Sequence, residues 1–161
     1  LFEVTNIQDV QNLEYIFFLI LGIMAGYFSF FFHSVISGTQ YTFLKIQKPG
    51  VQFLLSALGL GVHILFLPAL YGEGYWTLKQ IVEGKFEEIL EGSLFSFLGG
   101  AQWILILYLL LAMMFKGVAT GLTRAAGGTG GVFGPSMFAG GIMGFIFASL
   151  VNEYITGVQL S

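Results

Sequence analysis

One stretch of this chain has residue types that could do chemistry through the backbone: Gly127-Gly128-Thr129-Gly130-Gly131-Val132-Phe133-Gly134-Pro135-Ser136. Closely spaced glycines let a chain turn until successive N–H groups converge, and a proline in the first turn of a helix presets φ where a missing N–H does no harm. A helix beginning here presents unpaired N–H donors and the positive end of a dipole equivalent to about half a charge. In a low-dielectric setting those donors need a negative partner, and an anion supplies one. Val132 and Phe133 bring apolar side chains, which suit a weakly hydrated monovalent ion better than a phosphate with its usual Lys or Arg. Chloride fits that description, with the backbone about Val132 and Phe133 as the candidate donor.

Other uses of these glycines compete. A dinucleotide fingerprint requires a third glycine three residues after Gly130, where Phe133 stands, and no Gly-Lys-Ser/Thr is present. Glycines that serve only close helix packing remain an open reading, one that makes the chain a structural membrane module. A membrane-embedded enzyme would need paired carboxylates, a histidine cluster or a Ser/His/Asp set within the spans, and the sequence has none there. With no cysteine, disulfides, thiolate metal sites and thiol catalysis are excluded, and no cofactor or metal is expected. His33 and His63 have no carboxylate one turn away, so each is expected to be a buried, hydrogen-bonded neutral imidazole rather than a proton relay.

The elements that must position these residues are membrane spans. The chain is 56% hydrophobic and 9% charged, far from the roughly 45–50% and 25% of a soluble domain. Its charges cluster, leaving four uncharged stretches, 15–44, 49–72, 92–115 and 125–152, each longer than the roughly 20 residues a spanning helix needs. The fold class is therefore an all-α integral membrane protein. A net charge of -3 without any Lys/Arg run argues against nucleic acid and against a polybasic lipid anchor.

Helices are expected over 13–43, capped by Asp9 or Asn12, over 51–67 after the Lys45–Gly50 loop, over 100–122, and over 133–154. The first two should form a hairpin. The acidic segment 71–91 reads as short amphipathic helices lying at the interface. Gly22 and Gly26, Gly117 and Gly121, and Gly140 and Gly144 are each four apart, the spacing of a notch into which another helix fits. Lys45, Lys48 and Arg124 favour the cytoplasmic side, which puts the acidic loop outside. If the third helix runs inward, Lys116 lies roughly 24 Å down a core of about 30 Å. There it either snorkels to the interface as an anchor or faces an aqueous anion vestibule. The chain begins at Leu1 and ends at Ser161 without a polar tail, so a piece of a larger protein is expected, 1–161 being a single partial transmembrane domain.

Gly131-Val132-Phe133-Gly134-Pro135 resembles the Gly-x-Phe-x-Pro signature of the chloride channel and chloride/proton antiporter (CLC) family. The resemblance extends to Lys116, to Ala119-Thr120-Gly121-Leu122-Thr123 before the signature and to Ser136-Met137-Phe138-Ala139-Gly140 after it. Upstream, Pro68-Ala69-Leu70-Tyr71-Gly72-Glu73-Gly74-Tyr75 is similar to the family's Pro-x-x-x-Gly-x-Gly-Tyr loop. The likeness covers about 14–161 and implies helices J to N, the opening of the second inverted half of the family's fold. It implies a chloride-binding set of Gly131, Val132, Phe133, Gly134 and Pro135, in which the N–H groups of Val132 and Phe133 help hold a central chloride and Gly131 and Gly134 permit its approach, with protons as a further partner in antiporters. It also implies a homodimer in the complete protein, embedded in the lipid bilayer of a bacterial inner membrane. The family's gating and proton-transfer glutamates have no counterpart here, so channel and antiporter are not separated. Glu73 stands where relatives commonly carry Ser or Gly, as a solvated loop carboxylate or as a rim charge that weakens anion entry.

Overall fold

The computed structural model describes residues 14–98 and 102–154. Among them are six α-helices: α1 (Glu14–Leu44), α2 (Pro49–Phe66), α3 (Tyr75–Val82), α4 (Phe86–Leu90), α5 (Gln102–Ala125) and α6 (Phe133–Tyr154). Helices α1, α2, α5 and α6 are long and apolar enough to cross a membrane. They correspond to the four uncharged stretches, and α3 and α4 to the expected short helices of the acidic segment. Short 3-10 turns at Pro68–Leu70 and Leu94–Leu98 complete the path. The suggested caps Asp9 and Asn12 lie outside the described residues.

Local chemistry sets the helix ends. Pro49 is already inside α2, two residues before the expected start, because a proline in a first turn sacrifices no hydrogen bond. The carbonyl of Lys48 accepts from the N–H groups of Val51 and Gln52 at 3.0 and 2.9 Å. Helix α5 continues to Ala125, past the expected residue 122, and closes with a Schellman motif. Gly128 N–H donates to the Thr123 carbonyl at 2.9 Å and Gly127 N–H to the Arg124 carbonyl at 3.1 Å. That closure needs a left-handed residue, supplied by Gly127 at φ 93°. The amide of Gln52 also donates to the Ala125 carbonyl at 2.6 Å, tying α2 to this end of α5.

Helix α5 is the hub, with α1, α2 and α6 all packed against it. The expected α1–α2 hairpin does not form as a packed pair: the two helices share a short connection, but α1 lies along α5. Gly117 and Gly121 explain this. A Cβ on Gly121 would stand 2.7 Å from Thr39 Cβ and 2.9 Å from the Ile36 carbonyl oxygen, and one on Gly117 would stand 3.2 Å from Val35 Cγ1. α1 therefore nests against bare α5 backbone. The buried centre is built from Ile36, Tyr108, Leu109, Ala112, Phe138 and Ile142.

The other two expected notches have a different outcome, since a Cβ on Gly22, Gly26, Gly140 or Gly144 would meet no neighbouring atom of the described residues within 4 Å. The close-packing glycine of α6 is instead Gly141, where a Cβ would lie 2.6 Å from Leu78 Cδ2 of α3. Gly134, Phe138 and Gly141 form one i, i+4, i+7 stripe on α6 that receives Glu73, Gly74 and Leu78. This stripe fixes the segment around residues 73–78 against the beginning of α6.

Candidate anion site

The N-terminus of α6 lies between apolar segments, as the glycine run predicts. Val132 occupies the capping position: its carbonyl accepts from Ser136 N–H at 2.9 Å and from Ser136 Oγ at 2.7 Å. Pro135 has no N–H to offer. Among the described residues, no acceptor takes the backbone N–H groups of Val132, Phe133 or Gly134, so the first turn retains three donors, one more than the two named from the signature. A Cβ on Gly131 would stand 4.0 Å from Phe133 N.

Beside this turn is a cavity of about 320 Å³ enclosed by α2, α5, the turn at 70–72 and residues 130–135. Gly72, Lys116, Thr120, Arg124, Gly131 and Pro135 all line it. The structure thus brings Lys116 together with two of the signature residues. The side chains of Val132 and Phe133 are exposed instead, leaving the backbone as their contribution.

Lys116 does not snorkel. Its side chain is 2% exposed, and Nζ donates to the carbonyls of Leu70 at 3.2 Å and Gly72 at 2.8 Å. The ammonium also stands 4.7 Å from the centre of the Phe138 ring, where the ring quadrupole favours a cation. An ammonium has three donors and no acceptor, and the tight turn after α2 leaves carbonyls pointing its way. That turn is in turn held by Tyr108, whose buried hydroxyl accepts from Ala69 N–H at 3.0 Å.

The hydroxyls on the same face of α5 are committed elsewhere. Thr120 Oγ1 donates to the Lys116 carbonyl at 2.8 Å and Thr123 Oγ1 to the Ala119 carbonyl at 2.9 Å, so neither proton is offered to an anion. Arg124 is the second cation at the cavity, and the sequence analysis used it only for orientation. Its spacing was the missed signal: 116, 120 and 124 recur every four residues and share one helical face.

Glu73 is exposed, yet its carboxylate packs on the first turn of α6. A Cβ on Gly134 would lie 3.0 Å from Glu73 Cδ and 3.1 Å from Oε2. Partial burial, the Glu73 charge and a hydrogen bond to Glu73 together raise the Tyr75 hydroxyl above its ordinary pKa. The histidines stand apart from the site. His63 is half-buried beside Phe115 and donates from Nδ1 to the Gly59 carbonyl at 2.7 Å. His33 is exposed in this chain rather than buried, with only Ser37 Oγ at 3.5 Å, because α1 turns that face away from α5.

A family model described as voltage gated chloride channel matches residues 1–161. The chain is 25% identical over 158 residues to the voltage-gated ClC-type chloride channel ClcB of Salmonella typhi, covering 98% of this chain and 34% of that protein. It is 27% identical over 148 residues to the H(+)/Cl(-) exchange transporter ClcA of Vibrio parahaemolyticus, covering 89% and 28% respectively. The chain therefore spans about a third of the length of the curated relatives it matches. No solved structure matches significantly. With the signature, the broken helix at its start and a family match along the whole sequence all in agreement, this multi-pass membrane chain belongs to the voltage-gated chloride channel (CLC) family.

Proposed function

We propose that this chain forms one wall of a chloride pathway, with the ion held by the N–H groups of Val132, Phe133 and Gly134 at the start of α6. The observation that carries this reading is the set of uncommitted first-turn donors between Gly131 and Pro135, the two signature residues that line a cavity together with Lys116 and Arg124. Helix N-termini inside membranes bind anions in just this manner, and irregular backbone is tolerated there because it lines a cavity. Gly131 keeps the approach clear, Gly134 leaves the room that the Glu73 carboxylate takes, and Pro135 starts the helix without adding a donor. In the complete protein, which works as a homodimer in a bacterial inner membrane, the opposing half of the domain supplies the rest of the ion's shell. α3 and α4 are placed by this reading at the membrane surface, and their exposed Trp76, Val82 and Phe86 supply apolar side chains for it. The relatives include both a channel and an exchanger by name, and proton coupling depends on residues outside this chain.

The test is chloride titration calorimetry on the full-length protein. Val132→Ala should leave chloride affinity within about twofold, since only its backbone takes part, whereas Gly131→Val should abolish binding. Equal losses in the two variants would refute a backbone site. Chloride should also raise the thermal unfolding temperature relative to gluconate, because a ligand that binds only the folded state stabilises it by mass action. No shift would favour glycines that serve packing alone.

A further inference from the structure

The first turn of α6 is approached from two sides. Lys116 and Arg124 line the cavity on one side, while the Glu73 carboxylate rests against Gly134. Gly134 has no side chain, so nothing separates that carboxylate from the backbone of the turn. The loop cannot easily carry it away: Gly74, at φ 90°, packs directly on the Phe138 ring, and any Cβ there would run into it. The Glu73 charge acts on Lys116 of α5 and on Tyr75 of α3, and the first turn of α6, Phe133–Ser136, contains no titratable side chain of its own.

We propose that Glu73 sets the affinity of the α6 anion site, as a tethered carboxylate that rivals free chloride for the positive end of the helix. This rests on the reading of that turn as a chloride site. The local positive charge without Glu73 is the Lys116 ammonium, the Arg124 guanidinium and about half a charge from the helix dipole. A carboxylate in contact with the same turn offsets part of it, so that the ion binds and also departs more readily. The position is specific to the carboxylate: a shorter, uncharged residue between Gly72 and Gly74 would leave the turn open and more strongly electropositive.

A charge series at residue 73 tests this, read by chloride titration calorimetry of the full-length protein at constant ionic strength with gluconate as the replacement anion. Glu73→Gln should tighten the chloride Kd by about tenfold, Glu73→Lys should tighten it further, and Glu73→Asp should stay within about threefold of the parent. An order that follows charge is not what a merely structural role would give. Equal effects of Gln and Asp, or a Gln variant that binds no more tightly than the parent, would overturn the proposal while leaving the chloride site intact. If folded parent and folded variants alike bind no chloride, the site itself fails and this role of Glu73 fails with it.

Discussion

An ammonium can be buried only where acceptors converge, and for Lys116 the acceptors are the carbonyls of Leu70 and Gly72. Replacing it with Met leaves both carbonyls without their donor, at about 1–3 kcal/mol for each buried group left unsatisfied. Lys116→Met should therefore lower the thermal unfolding temperature of the full-length protein in detergent by several degrees. Lys116→Arg should lower it too, since a planar fork does not replace a compact point charge. Unchanged unfolding in the Met variant would show that the turn does not depend on the lysine. Arg124 has no such structural tie through its side chain among the described residues, so it isolates the electrostatic part. Arg124→Gln should slow chloride flux in proteoliposomes more at low ionic strength than at high, as screening removes what the charge contributes. A salt-independent change would point away from ion attraction. The sequence made the signature glycines legible, because their residue type is itself the signal. It could not reveal the partners of Lys116, because every residue has a carbonyl and nothing in Leu70 or Gly72 marks theirs as the ones left free.

At the scale of helices, glycine spacing was a necessary clue and an insufficient one. Three pairs four residues apart looked alike in sequence, yet among the described residues only Gly117 and Gly121 hold a neighbouring helix. Gly121→Ala should cost about 1–3 kcal/mol, because its Cβ meets Thr39 and the backbone of Ile36. Gly140→Ala, whose Cβ meets nothing among the described residues, should cost less than Gly121→Ala by at least about 1 kcal/mol. Chemical denaturation of both variants checks the difference, and equal costs would contradict the α1–α5 seam. The spans themselves were readable because charge is excluded from them over long runs. Their ends were less so: the left-handed residue that stops α5 is one of several nearby glycines, and only the hydrogen bonds from Gly127 and Gly128 single it out. The hairpin expectation failed because adjacency along the chain says which helices are connected, whereas bare backbone on α5 decides which ones pack.

The molecule as a whole leaves much apolar surface uncovered. Tyr27 is 78% exposed, Phe30 80% and Leu65 71%, and the helices they belong to, α1 and α2, are little buried by the others. On the proposed function the chain forms one wall of a pathway and not the whole of it, so liposomes containing only residues 1–161 should show chloride efflux no greater than empty controls. Efflux above that level would mean that copies of this chain assemble into a pore by themselves. The bond between Lys116 and the turn at 70–72 also has a bearing on how the protein is made. Its two ends are 44 and 46 residues apart, and the ribosome delivers the turn first. Until α5 emerges, the carbonyls of Leu70 and Gly72 wait without their donor; once it does, the lysine has its place only against a turn already in position. Nascent chains halted before residue 116 should keep that turn open to protease, and chains halted well beyond residue 125 should protect it, so the order of synthesis becomes the order of assembly.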